Sequence, residues 1–138
     1  VLLLAACGES ADRGTLQGFE DAEIVVGGET WRVVVADDAG EHSRGLMGVT
    51  GLGNLDGMLF VYPSDTESSF WMKDTLIPLD IAFFDVDGGL VDLLHMEPCL
   101  QDPCPTYSAA GPYRYALETA AGGFDGVDEL RLELPAGY

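Results

Sequence analysis

This sequence is poor in basic residues. It carries 24 Asp and Glu against 6 Lys and Arg, a formal net charge of -18, and its single lysine is Lys73. Phosphate backbones are held by clustered Lys and Arg, so such a chain repels nucleic acid. Anionic lipid headgroups are repelled for the same reason. Charge this dense suits a high-salt host, where it keeps a protein soluble, or else simply marks an acidic surface. Histidine is nearly as scarce, with only His42 and His95. There is no Gly-x-Ser-x-Gly elbow either, which leaves the serines without an evident catalytic partner. Repeats and low-complexity stretches are missing, and no apolar run reaches the roughly 20 residues of a membrane-spanning helix. What the sequence does have is apolar content, 47% of 138 residues. That is enough for one domain with a core, not for two, and too much for a disordered chain.

The three cysteines divide into one and two. Val1 to Ala6 is an apolar run ending in small residues, and Cys7 follows at once. Leu4-Ala5-Ala6-Cys7 resembles a bacterial lipobox, in which small residues admit the signal peptidase and the cysteine is acylated. On this reading residues 1–7 end a lipoprotein signal peptide, 8–22 form a flexible tether, and 23–138 fold as a single domain. The expected partner is a lipid bilayer reached through acylated Cys7, since more than one acyl chain anchors stably where one does not. Gly8 rather than Asp after the cysteine points to the outer membrane, facing the periplasm, if the host is Gram-negative. The other two cysteines, Cys99 and Cys104, enclose Leu-Gln-Asp-Pro, and export makes a disulfide their expected state. A zinc site would need two more ligands, and His95 is the only close one. A thioredoxin-like pair prefers two intervening residues, and four stand here.

Alternation and turn residues predict strands along most of the chain. Glu23 to Val26 and Thr30 to Ala36 flank Gly27-Gly28, a hairpin signal. Asp37 and Asp38 are placed to cap a short helix over Glu41 to Met47, with Gly45 inside it marking close contact with a neighbour. Gly57 to Tyr62 and Ser68 to Lys73 are strand-like. Asp80 to Asp85 and Leu90 to His95 flank a second hairpin turn at Asp87-Gly88-Gly89, and the first of these is apolar on both faces, as a covered strand should be. Tyr113 to Glu118 and Glu129 to Leu134 supply the last strands. The expected class is mostly β: a compact barrel- or sandwich-like domain of about eight short strands with one or two small helices.

A dense series of motifs then carries a family resemblance. Ser43-Arg-Gly-Leu-Met47, Gly57-Met-Leu-Phe60, Ser69-Phe-Trp-Met-Lys-Asp-Thr75, Ile77-Pro-Leu-Asp-Ile81, Met96-Glu-Pro-Cys99, Cys104-Pro-Thr-Tyr107 and Arg114-Tyr-Ala-Leu-Glu118 follow in order. Together they resemble the domain of unknown function 192 family over roughly Gly28 to Leu134. The resemblance implies a compact β-barrel-like fold with a small helix and implies no activity. Asp74 stands where that family usually has Asn, and Gly48 and Thr50 stand where it often has a bulky and a basic residue.

Candidate chemistry is sparse. Met47, Met58, Met72 and Met96 with His95 offer soft ligands that would select copper, but methionine is also a gap-filler of cores and all four lie in apolar patterns. Asp74, Asp80, Asp85 and Asp87 match no EF-hand spacing, and paired-carboxylate catalysis finds no clear pair among so many acids. No catalytic residue, metal or cofactor is therefore expected. Arg44 and Lys73 remain, cations set among apolar neighbours. Either they are neutralised by Asp80 or Asp74 in a packed network, or Arg44, Trp71, Lys73 and Asp80 form a ligand cleft in which Trp71 stacks a ligand and a cation holds its anionic group. The expected function is a membrane-anchored envelope domain, non-enzymatic, binding a small ligand or an envelope protein. The alternative is an envelope enzyme acting on a carbohydrate or cell-wall fragment.

Overall fold

Both glycines of the first hairpin turn, Gly27 and Gly28, have positive φ (58° and 83°), the geometry a two-residue turn between twisted strands requires. They join β1 (Glu20–Val26) to β2 (Glu29–Ala36) in continuous antiparallel register from Val26↔Glu29 to Glu20↔Val35. The computed structural model describes residues 13–138. Cys7 and its lipobox lie outside the described residues. The described part begins with α1 (Arg13–Leu16), and after β2 come α2 (Ala39–Arg44), β3 (Gly57–Thr66), β4 (Phe70–Trp71), β5 (Leu79–Phe84), β6 (Leu90–Met96), β7 (Thr106–Tyr107), β8 (Tyr113–Ala120) and β9 (Leu132–Glu133).

Seven strands form one sheet in the order β6-β5-β8-β3-β2-β1-β9, while β4 and β7 pair separately. Only β2 and β3 are parallel, so the chain between them must cross over. That crossover carries α2 and the loop 45–56 onto one face. The sheet curls into a half-barrel. Leu132 N on β9 donates to Gly88 O in the β5–β6 turn at 3.0 Å, linking elements from opposite ends of the strand order. A Cβ at Gly88 would collide with Leu132 O, so only glycine allows this seam.

Apolar side chains fill both faces. On one, Val34, Met58, Phe60, Ile81 and Phe83 are buried under Leu46, Val49, Phe70 and Met72. On the other, Val33, Val35, Leu59, Ala82 and Leu117 are covered by Phe124 and Leu132, with Trp31 stacked on Phe124 at 5.3 Å. The fold is mostly β, as expected, and β5 is covered on both faces with five of its six residues buried.

Several boundaries differ from those the sequence predicts. Leu16 and Phe19 are core residues (2% and 8% exposed), and their side chains pack on the face beside α2. Helix α2 ends at Arg44, and Gly45, at φ 46°, terminates it with its N–H on Glu41 O. A Cβ at Gly45 would meet the Phe60 ring at 3.5 Å, an ordinary contact, so the positive φ and not close packing is what favours glycine here. The stretch Ser68 to Lys73 contributes only Phe70 and Trp71 as strand, paired with β7 and not with the main sheet. The last strand is two residues long, because it pairs only with Val25 and Val26 at the end of β1.

Candidate functional site

A half-open cavity of about 480 Å³ lies over the face that carries α2. Its walls come from the crossover and from the small β4–β7 sheet: His42, Arg44 and Met47 on one side, Ser69, Phe70, Trp71 and Thr106 on the other, with Phe60, Tyr62 and Glu118 beneath. The aromatic rings brace one another. Phe70 meets Phe60 edge-on at 5.0 Å, and Tyr62 stacks on His42 at 4.3 Å.

His42 is held by the backbone. Its Nε2 lies 3.0 Å from both Ala36 O and Val61 O, carbonyls at the point where β2 parts from β3. Two carbonyl acceptors require Nε2 to carry the proton, which makes Nδ1 the accepting nitrogen of the neutral ring. No hydroxyl is bonded to this imidazole among the described residues, so no nucleophile–base pair is formed.

Glu118 is the unusual group. Strand alternation turns it to the same face as Ala116, between Met58 on β3 and Ile81 on β5. It is 3% exposed, and among the described residues its carboxyl has neither a hydrogen-bond partner nor an ion pair. It lines the cavity. Burial alone pushes its pKa up to about 8, because an apolar setting disfavours the charged form. At neutral pH it is therefore mainly a neutral acid, able to donate through O–H or to ionise when a cation arrives.

The structure brings together only part of the cleft expected from sequence. Arg44 and Trp71 both line the cavity. Arg44 is exposed at the rim, its guanidinium 4.1 Å from the Phe19 ring centroid and donating to Gln17 O at 3.3 Å. Trp71 is 46% exposed. Lys73 stands outside, its Nζ 5.2 Å from the Trp71 ring and 3.3 Å from Asp102 Oδ2. Asp80 is elsewhere, accepting from Gly122 N at 2.9 Å and bonded to His95 Nδ1 at 2.7 Å. A packed network joining Arg44 and Lys73 to Asp80 or Asp74 is thus not formed. Arg44 and Lys73 reach water, and their partners are Gln17, Phe19, Asp102 and Trp71.

The expected cysteine bridge is present, Cys99 to Cys104. Met58, Met72 and Met96 are wholly buried in the core, and Met47 alone borders the cavity, an arrangement that follows packing. The one acidic trio with convergent oxygens among the described residues, Asp37, Asp38 and Glu41, is explained by helix capping. Asp38 Oδ1 accepts from Glu41 N and Glu41 Oε1 accepts from Asp37 N.

The pattern of the chain also matches known proteins. A profile of DUF192, described as an uncharacterized ACR, matches residues 22–129. The chain belongs to the DUF192 family. No curated protein matches it. Two crystal structures resemble this DUF192 domain. One is a protein of unknown function from Novosphingobium aromaticivorans, 27% identical, with a TM-score of 0.72 over 86% of each chain. The other is described as a candidate transcription regulator from Sinorhizobium meliloti. It is 26% identical, with a TM-score of 0.74 over 83% of this chain and 94% of its own.

Sequence reasoning on the DUF192 motifs passed over Glu118, although it closes the Arg114-Tyr-Ala-Leu-Glu118 block. The available signal was its place in a strand whose Tyr115, Ala116 and Leu117 are all apolar and all buried. A carboxylate continuing such a run has little chance of facing water. Another motif position is explained by geometry. Asp74 has φ 55°, the one non-glycine residue with positive φ among the described residues, and Asn and Asp tolerate that left-handed conformation best.

Proposed function

We propose that this DUF192 domain is a non-enzymatic binding module of the cell envelope, held at the bilayer through acylated Cys7 and taking a small organic ligand in the cavity above Glu118. The observation that carries the reading is the buried carboxyl itself. A group 3% exposed and without a protein partner among the described residues costs stability, as buried polar groups do unless something bonds them, and it lines a cavity walled by Phe60, Tyr62, Phe70 and Trp71. Apolar walls with few convergent polar groups are the usual make-up of small-ligand sites. The Cys99–Cys104 bridge supports an oxidising compartment.

The enzymatic alternative has less support. Glycoside hydrolysis uses two carboxyl groups facing one bond, and among the described residues Glu118 is the sole carboxyl lining the cavity. Direct nucleic-acid binding is opposed here by the net charge of -18.

Two measurements test the proposal. Small aromatic fragments titrated into the protein should quench and shift the Trp71 emission, and Trp71→Ala should weaken that binding. Fragments that bind equally well to the variant would place binding elsewhere. For the anchor, the full-length gene product should partition into detergent, and Cys7→Ser should release it to the soluble fraction. Equal partitioning of both forms would end the anchoring claim.

A further inference from the structure

We infer that the ligand of this cavity is an organic cation, a small apolar body bearing an ammonium, whose charge Glu118 meets and whose body lies against the aromatic rings. This rests on the binding reading above and names the ligand class of the same site.

The argument is one of missing countercharge. Glu118 lies between apolar Met58 and Ile81 on the neighbouring strands. The other titratable or charged side chains lining the cavity are His42, Arg44 and Tyr62. His42 commits its Nε2 proton to two backbone carbonyls. Arg44 is turned to the rim, on Phe19 and Gln17 O. Tyr62 supplies no positive charge. The protein therefore offers Glu118 a place to ionise but no cation to ionise against, and a bound ammonium would complete the pair.

The walls favour the same ligand. Aromatic faces attract cations through their quadrupoles, and the rim already does so, since Lys73 Nζ rests 5.2 Å from the Trp71 ring. At a net charge of -18 the field of the whole protein concentrates cations at its surface and turns anions away. The proton balance follows. The buried carboxyl, its pKa pushed up to about 8, is mainly protonated at pH 7. Docking an ammonium draws that proton off, so close to one H⁺ passes to solvent per ligand and the carboxylate stays paired with the cation.

Three probes of one size and different charge decide the matter: benzylamine, benzyl alcohol and benzoate, titrated calorimetrically into the 138-residue chain at pH 7 in two buffers of different ionisation enthalpy. Benzylamine should bind about tenfold or more tighter than benzyl alcohol, with close to one proton released, and benzoate most weakly. Glu118→Gln should abolish both the preference and the proton release while keeping the weak binding of benzyl alcohol. Benzyl alcohol or benzoate binding as tightly as benzylamine, or benzylamine binding without proton release, would overturn the cation inference and leave the binding module standing. If none of the three binds, both readings fall. Should Glu118→Gln not fold, the ranking and proton count of the unaltered protein still decide.

Discussion

Replacing Glu118 by Gln removes a titrating group and leaves its shape, so the stability difference between the two proteins must change with pH. In the unfolded chain the carboxyl ionises near 4.5, and in the fold burial holds it back to about 8. Between those values the unfolded chain loses a proton that the folded chain keeps. The native state binds more protons there, and linkage makes its stability fall as pH rises. The shift corresponds to about 3 kcal/mol at pH 7 and about 5 kcal/mol above pH 8.5. Gln carries none of this cost, and burying its amide is comparable to burying a neutral acid. The variant should therefore match the parent near pH 4 and be more stable by about 3 kcal/mol at pH 7, a rise in Tm on the order of 10 °C for a domain of this size. Urea unfolding of both proteins at pH 4, 5.5, 7 and 8.5 reads this directly, and titrations common to both cancel in the difference. A gain that is the same at pH 4 and pH 8.5, or a loss at every pH, would refute the picture of an uncompensated buried acid.

Three other outcomes are expected. His95 is raised above its ordinary value by its hydrogen bond to Asp80 and then by that to Glu97, so its NMR titration midpoint should lie above 6.5. Asp80→Asn should lower that midpoint more than Glu97→Gln does, and the stabilisation of the fold by this cluster, complete below pH 6.5, should fade as pH rises through the raised value. A midpoint at or under 6.5 would contradict the geometry. Reducing the Cys99–Cys104 bridge, which closes a short loop, should cost about 2 kcal/mol and several degrees of Tm; unchanged melting in reductant would argue that the loop is fixed by other contacts. Because Arg44 is exposed and Lys73 is about a third exposed, Arg44→Ala and Lys73→Ala should each cost under about 1 kcal/mol in chemical denaturation, and a loss on the order of 3 kcal/mol would argue for a packed charge network instead.

Which features could be read in advance follows from how local their causes are. Gly27-Gly28 and Asp87-Gly88-Gly89 declare their hairpins because a positive φ is a property of one or two residues. Asp38 declares the start of α2 because a cap needs only its own side chain and the amide of Glu41. Arg44 and Lys73 misled because apolar sequence neighbours were taken as spatial ones. Helix α2 buries none of its residues, and in β4 Phe70 points inward while Trp71 points out. Glu118 was hidden for a converse reason. In a strand covered on both faces alternation no longer separates core from solvent, and burial is decided by β3, β5 and the crossover, which are distant in sequence. Strand β7 had no local signal at all, since Thr106 and Tyr107 are strand only by pairing with Trp71 and Phe70.

The loop closed by Cys99 and Cys104 acts well beyond itself. Cys99 is stitched to the segment that follows Trp71: its N–H donates to Met72 O, its carbonyl accepts from Asp74 N, and it bridges Lys73. The chain leaving Cys104 becomes β7 within two residues and sets Thr106 opposite Trp71. Two of the residues bordering the cavity mouth, Trp71 and Thr106, therefore lie beside a loop closed by a covalent ring and outside the main sheet. Opening that ring is expected to loosen the cavity mouth first, because β7 follows it directly while Glu118 is held between β3 and β5.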